Sequence, residues 1–253
     1  MMRIFAPAVA GIGFLILWQF QAFHYLLGIE IYQLPVPTSI AEAIADNLDV
    51  MLIYSGVTLA EAISGILIGS GIGFFIAIIA TIFPKWGAGG LLVLSALNAV
   101  PIIALAPIMN VWFGSGIAGK SAVVTIATMA AMAFNSYRGL NDLAPFSLDL
   151  MKSYGVSRWK IFFKLRLPNS VPYLMTAFKI NVTAGMMGAI ISEFFYSSKG
   201  LGYLISNSVK VAKMSQGWAG ICFAALIGIL LYTLITIFEK FALKWHSSQQ
   251  AIS

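Results

Sequence analysis

The chain has 253 residues, of which 60% are hydrophobic and only 9% are charged, and its formal net charge is +6. A water-soluble fold of this length exposes more surface than so few charged residues can cover. The composition therefore predicts an all-α polytopic membrane protein. It argues against a nucleic-acid-binding domain, because the basic residues lie in short stretches between apolar runs instead of forming a soluble basic face.

Residue types that carry chemistry are sparse in this sequence. The one cysteine, Cys222, lies inside an apolar run, and the histidines His24 and His246 stand near opposite chain ends. No metal-ligand spacing is present, and the HExxH and GxSxG patterns are missing. The sequence therefore predicts a protein that is not an enzyme, with no catalytic residue, no metal site and no cofactor in this chain.

Six apolar segments are long enough to cross a bilayer as helices. In chain order they cover residues 5–28, 54–83, 89–113, 120–137, 171–195 and 217–243. We interpret the first as a retained helix and not as a signal peptide, because no small-residue cleavage site follows it. The prediction is one transmembrane domain over 1–253 with about six spans.

Proline and glycine mark two of these spans. Pro101 and Pro107 predict a third helix that is broken twice, which is typical either of an element lining a pathway or of a simple packing kink. In the second span Gly65 and Gly69 form a GxxxG pattern, which allows close approach of two helices.

The distribution of basic residues predicts the orientation of the chain. With the N-terminus inside, the outer segments hold only Lys120, Lys199, Lys210 and Lys213. The inner segments hold the larger set, which is Arg3, Lys85, Arg138, Lys152, Arg158, Lys160, Lys164, Arg166, Lys240 and Lys244. The excess predicts that both termini are cytoplasmic.

The loop 138–170, between the fourth and fifth spans, is the most charged part of the chain. Leu148, Met151 and Tyr154 have helical spacing, and Gly155 stands where a helix C-terminal glycine is usual. Ser157 can cap a second, basic amphipathic helix that ends at proline. The pair can dock in a groove on a partner protein or rest on anionic lipid, and the residues alone favour neither.

This loop resembles the cytoplasmic signature of the permeases of binding-protein-dependent ABC importers. Their pattern is Glu-Ala-Ala, three residues, Gly, nine residues, then Ile-x-Leu-Pro. Here Asp149-Leu150-Met151 is followed after three residues by Gly155, and after nine more by Leu165-Arg166-Leu167-Pro168. The spacing matches throughout, while Asp, Leu-Met and Leu replace the usual residues.

Further stretches resemble the nitrate, sulfonate and taurine branch of that family, over about 34–245. Four stretches carry the likeness in the expected order: Leu34-Pro35-Val36-Pro37; Pro101 to Pro107 followed by Trp112-Phe113-Gly114; Asn135-Ser136-Tyr137-Arg138-Gly139; and Ser192-Glu193-Phe194 followed by Gly200-Leu201-Gly202.

The resemblance implies a type I importer fold with a cytoplasmic coupling helix, in a bacterial inner membrane. Two permease subunits, expected to be a homodimer, would form the pore with membrane lipid around them. Two cytoplasmic ABC ATPases would bind ATP and Mg, and an extracytoplasmic binding protein would deliver the substrate. No GxxxxGK[ST] phosphate loop occurs in the chain itself.

The resemblance also implies candidate site residues. Those expected to couple to the ATPase are Asp149, Leu150, Met151, Tyr154, Gly155, Ser157, Leu167 and Pro168. Candidates for the substrate pathway or gate are Asn98, Pro101, Asn135, Met187 and Glu193. For Glu193 we favour a role at the outer gate, or a structural role as a helix cap or partner of Lys199, over direct contact with substrate.

Two other ionisable residues lie in the predicted spans. Glu61 occupies a position where this branch more often carries a basic residue, and the sequence assigns it no role. Lys179 is expected to extend toward the inner interface, although it could also attract an anion.

The substrate stays open at this point. The branch implies nitrate, sulfonates or taurine, or a riboflavin or pyrimidine-type vitamin precursor. An ion-coupled secondary transporter or channel working without an ATPase is the alternative function, and the missing paired midspan carboxylates argue against it.

Overall fold

A computed structural model describes residues 2–243, with side chains from residue 6 onward. Lys244 and His246 lie outside the described residues. Every regular element within them is helical, which confirms the all-α prediction. The helices are α1 Met2–Gln19, α2 Ala22–Leu27, α3 Pro37–Asp46, α4 Leu48–Ile82, α5 Pro84–Asn98, α6 Ile102–Phe113, α7 Ile117–Asn141, α8 Ser147–Ser153, α9 Arg158–Ile161, α10 Leu167–Tyr196, α11 Leu201–Lys210 and α12 Met214–Ala242.

Four continuous helices are long and apolar enough to span a membrane. They are α4, α7, α12 and the 39-residue run Arg158–Tyr196, in which one π-helical turn joins α9 to α10. Helices α5 and α6 together qualify as a fifth span, bent by 102°. The chain is therefore a multi-pass membrane protein with four or five clear spans, and the apolar part of α1, Ala6–Gln19, is shorter than these.

The first apolar segment is not the continuous helix predicted over 5–28. Helix α1 ends at Gln19, and Gln21 adopts a left-handed backbone with φ 62°. The Gln19 side chain turns away to α3, where its Nε2 donates to Thr38 Oγ1 at 3.0 Å and its Oε1 accepts from Thr38 N at 3.1 Å. These polar contacts join the end of α1 to the first turn of α3.

The third segment is broken once and not twice. Pro101 separates α5 from α6, whereas Pro107 lies inside α6, so the predicted second break is wrong. Helix α5 also begins at Pro84, five residues before the predicted start at 89. Proline is well placed there, because the first turn of a helix needs no backbone donor.

Helices α4, α7 and α10 form the centre of the bundle. Gly65, Gly69 and Gly73 stand four residues apart on α4, and a Cβ atom at any of them would overlap α7. The predicted close approach at Gly65 and Gly69 therefore extends one turn further. Such contacts between backbones replace the hydrophobic driving force that lipid does not provide.

An apolar cluster fills the space between these three helices. Its buried members are apolar side chains without a ring, namely Ala62, Ile66, Val124, Val182, Met186 and Ala189. They come from all three helices, so the cluster fixes how α4, α7 and α10 pack together.

We predict that Gly73→Ala destabilises the protein while Gly71→Ala does not. The added methyl group at Gly73 would overlap the backbone carbonyl of Met129, whereas Gly71 has nothing within 4 Å. Overpacking costs about 1–3 kcal/mol. The thermal midpoint of the detergent-purified protein should fall for Gly73→Ala only, and equal midpoints for both variants would contradict the proposed packing.

Candidate functional site: the exposed α8 segment and the Glu193 network

Helix α8 stands free of the bundle. None of its residues is buried, and Leu150 and the adjoining Tyr154 expose 57% and 78% of their surface. Asp149 pairs with Lys152 of the same helix at 3.6 Å, an exposed contact that contributes little stability. Met151 is half-buried. The helix and its C-terminal end therefore present the apolar side chains of Leu150 and Tyr154, which the residues that the structure describes leave uncovered.

Gly155 ends α8 in a Schellman motif. Its φ of +66° is a left-handed value that glycine adopts without strain. The Gly155 amide donates to Lys152 O at 2.9 Å, and the Val156 amide donates to Met151 O at 3.1 Å. Ser157 then caps α9, since its Oγ accepts from Lys160 N at 3.4 Å. The local turn chemistry is the one that the sequence predicts.

The basic helix does not end at Pro168, contrary to the prediction. Leu167 and Pro168 are half-buried in the first turn of α10, which continues directly from the π-helical turn Phe162–Arg166. A π-helical turn shifts the backbone hydrogen bonds by one residue, so the chain passes the proline without ending the helix. The segment is thus a rigid extension of α10.

Arg166 ties this extension to the end of α7. Its guanidinium donates to Leu140 O at 2.9 Å and to Asn141 Oδ1 at 2.7 Å. The last carbonyl groups of a helix have no partner within it, and a cation there also interacts favourably with the helix dipole.

Two further residues of α10 complete the base of the loop. Asn169 Nδ2 donates to Gly139 O at 2.8 Å and to Asp142 O at 2.9 Å, while the Tyr173 hydroxyl donates to Asp142 Oδ2 at 2.6 Å. A side chain at position 139 would overlap the side chain of Tyr173, so the position requires glycine. The exposed α8 therefore lies between the end of α7 and the start of the α10 run, which are hydrogen-bonded to each other. We call this hydrogen-bonded junction the base of the loop.

The predicted pathway residues do not come together in one cavity. Asn98 and Pro101 are exposed at the bend between α5 and α6, and Asn135 is half-buried on α7, where it bonds to Ala131 O of its own helix at 2.8 Å. Met187 lines an apolar cleft of about 460 Å³ between α10, α11 and α12, to which the other four candidates do not contribute. Glu193 is fully buried.

Glu193 caps α11 from the preceding span. Its Oε2 accepts from the Gly202 amide at 2.7 Å, and its Oε1 accepts from Thr58 Oγ1 at 2.7 Å. Gly200 has a φ of +101°, and a side chain on it would overlap the Glu193 carboxyl group. The contacts correspond to the helix-cap role, and the structure shows no ion pair with Lys199 within the described residues.

Thr58 is the member of this network that the sequence did not indicate. It is fully buried on α4, and its Oγ1 also accepts from the Leu201 amide at 3.0 Å. One hydroxyl thus connects α4, α10 and α11. A threonine in an apolar run carries no sequence signal for this role, because its partners lie more than 130 residues away. We call Thr58, Glu193 and Gly200 to Gly202 the Glu193 network.

Lys179 does not extend freely toward the interface. Its ammonium group pairs with Glu239 Oε2 of α12 at 2.6 Å, and both side chains are largely buried. Neither expected role, extension to the interface or attraction of an anion, matches this contact. The partner was not evident in the sequence, because Glu239 lies 60 residues further along the chain.

The described residues thus form a multi-pass membrane bundle with an exposed helix at one end. Residues 69–244 match the family model of the binding-protein-dependent transport system inner membrane component. The chain therefore belongs to that family of ABC permease subunits, which are not enzymes, and the predicted family membership is confirmed.

Two related permease proteins agree with this membership. The chain is 27% identical over 230 residues to a probable ABC transporter permease protein of Haemophilus influenzae, covering 91% of this chain and 93% of the relative. It is also 27% identical over 247 residues to the formylaminopyrimidine transport permease protein of Halalkalibacterium halodurans, covering 96% of both chains.

Solved structures show the same fold. A chain of an amino acid ABC transporter superposes with a TM-score of 0.64 at 14% identity, covering 78% of this chain and 96% of that one. An inward-facing MetNI methionine ABC transporter superposes with a TM-score of 0.58 at 15% identity, covering 82% and 97%. The predicted type I importer permease fold is confirmed.

We predict that Thr58→Val destabilises the Glu193 network. The variant keeps the shape of the side chain but removes one donor to Glu193 and one acceptor for Leu201, at a cost of about 1–3 kcal/mol for groups left buried without partners. Hydrogen exchange at the amides of Leu201 and Gly202 should become faster.

Thr233→Val is the matched control, because the Thr233 hydroxyl donates only within α12, to Ile229 O at 2.7 Å. If exchange at the start of α11 is unchanged in Thr58→Val, or rises equally in the control, Thr58 does not hold this helix.

Proposed function

We propose that this chain forms half of the transmembrane pathway of an ABC importer and that α8 is the helix through which an ATPase drives it. One observation carries the proposal: Leu150 and Tyr154 are exposed apolar residues, and the base of their loop is fixed by hydrogen bonds between α7 and α10. A helix that only rests on lipid needs no such base. A helix that transmits motion needs one, because a loose connection would absorb the movement.

The base also supplies a route for this motion. Arg166 and Asn169 bind carbonyl groups at the end of α7, and both belong to the continuous run that becomes α10. A displacement of α8 would therefore reach two of the three central helices directly. The apolar side chains of α8 would insert into a groove of the partner, as amphipathic helices do in other complexes.

The end of the bundle that carries α8 is proposed to be cytoplasmic. Most basic residues of the described chain lie at that end, including Lys85, Arg138, Lys160, Lys164 and Lys240, which follows the positive-inside rule. Helix α3 and the Glu193 network would then lie toward the outside.

The proposed assembly contains a second copy of this chain, two cytoplasmic ATPases and an extracytoplasmic binding protein. ATP and Mg would be bound by the ATPases. The family description names dependence on a binding protein, and this chain has no phosphate loop of its own.

For the substrate we propose a neutral heterocyclic solute of the pyrimidine kind. The two lysines buried in the spans are both engaged: Lys179 with Glu239, and Lys120 with the carbonyl groups of Ser115 and Gly116. No arginine lies at midspan, so the described helices offer no free cation for nitrate or a sulfonate. The relative matched over 96% of this chain is named for a formylaminopyrimidine.

We predict that a photo-crosslinking amino acid at Tyr154 captures the ATPase subunit and that one at Val211 does not. Both residues are exposed, but Val211 lies at the opposite end of the bundle. The measurement is the mass of crosslinked products from cells that contain the whole importer. Uptake should also stop when ATP is depleted and persist when ion gradients are dissipated.

Equal capture from both positions, or none from Tyr154, would contradict α8 as the docking helix. Uptake that depends on an ion gradient alone would instead support a secondary transporter.

We predict that the importer's binding protein binds a formylaminopyrimidine and does not bind taurine or nitrate. Titration calorimetry of the purified binding protein with each compound measures this directly. Binding of taurine or nitrate alone would overturn the proposed substrate class while leaving the ABC importer proposal intact.

A further inference from the structure

A pair of buried carboxyl groups, which the sequence did not indicate, lies in the interior of the bundle, and one of the two belongs to the Glu193 network. Glu61 of α4 is 1% exposed and Glu193 of α10 is not exposed at all. Glu61 lies one helical turn after Thr58 on α4, and the Thr58 hydroxyl donates to Glu193 Oε1 at 2.7 Å, so the fold brings the two carboxyl groups into one buried region. Ionised carboxylates only accept hydrogen bonds, so a hydrogen bond between the two groups requires one proton.

The hydrogen-bond partners of the two side chains differ. Both oxygens of Glu193 accept bonds, from Thr58 and from the Gly202 amide. Glu61 Oε2 is buried and has no hydrogen-bond partner. A buried ionised oxygen without a donor is costly, whereas a protonated carboxyl group satisfies itself by donating to its neighbour. The proton therefore belongs on Glu61, which donates to Glu193.

The charges around the pair lead to the same assignment. Lys120 of α7 directly precedes Ser121, whose Oγ donates to Glu61 O at 3.2 Å. Lys120 is 1% exposed, and its ammonium group donates to the carbonyl oxygens of Ser115 and Gly116. Helix α11 contributes the Gly202 amide, and its Tyr203 ring contacts Tyr54 of α4. One ammonium group offsets one carboxylate, so two ionised carboxylates would leave an uncompensated charge in the membrane interior.

We propose that Glu61 and Glu193 form a proton-binding site in which they share one proton, with Lys120 as the counter-ion. The site joins α4, α7 and α10 and supports the Glu193 side chain that caps α11. Release of the proton as the pH rises would place two carboxylates side by side. Their repulsion would separate Glu61 from Glu193 and loosen the start of α11, whereas a glutamine at position 61 would keep the hydrogen bond at every pH.

The first test is infrared difference spectroscopy of the purified full chain during titration from neutral to alkaline pH. The wild-type chain should show the carbonyl stretch of a protonated carboxylic acid, and this band should disappear as the pH rises. Glu61→Gln should lack the band, and Glu42→Gln, at an exposed position on α3, should retain it. Absence of the band from the wild type at neutral pH, or its persistence in Glu61→Gln, would overturn the proposal.

The second test uses hydrogen exchange at the amides of Leu201 and Gly202, corrected for the intrinsic effect of pH. In the wild type their protection should fall over the pH range in which the band is lost, and in Glu61→Gln it should stay constant. Lys120→Met should move the wild-type transition to higher pH, because loss of the positive charge strengthens proton binding. A profile that is identical in the wild type and Glu61→Gln would show that Glu61 has only a packing role.

Both measurements use the permease chain alone and need neither an ATPase nor a substrate. Their outcome is therefore independent of whether α8 docks on an ATPase.

Discussion

Close contact between the backbones of α4 and α7 is the constraint on which the rest of this structure depends. Gly65, Gly69 and Gly73 bring α4 directly against α7, because a side chain at any of these positions would overlap atoms of α7. Lipid provides no hydrophobic gain from burying apolar residues, and such contacts must be stabilised by dense packing and by hydrogen bonds. Ser121 Oγ, for example, donates to Glu61 O across this interface at 3.2 Å.

This contact also places the polar groups of the bundle. With α4 and α7 fixed, Glu61 and Lys120 lie at one end of their interface, close to Thr58 and its hydrogen-bond partner Glu193 on α10. At the other end, the last turn of α7 presents its free carbonyl groups to Arg166 and Asn169. The central helices thus connect a buried charged site to an exposed helix, and a rigid-body movement of either end would reach the other through packed elements.

Much of this arrangement could be predicted from particular residues. The apolar runs of at least 18 residues identify the long spans, and the Schellman turn at Gly155 with the cap at Ser157 follows from local backbone chemistry. The spacing from Asp149 to Pro168 identified the family. Local signals were misleading at Pro168 and Pro107, because a π-helical turn and the ends of neighbouring helices can accommodate a proline that would otherwise end a helix.

The sequence by itself determined that this is a multi-pass membrane protein of the ABC importer permease family, since hydropathy and motif spacing are properties of the linear chain. Only the tertiary structure decided the partners of the buried polar groups. Thr58 and Glu193 are 135 residues apart, and Lys179 and Glu239 are 60 apart. Nothing in the composition of either segment encodes such a pairing, because it depends on how the helices rotate and pack. The proposed protonation of Glu61 depends on the tertiary structure in the same way, because Glu193 and Lys120 come from other helices.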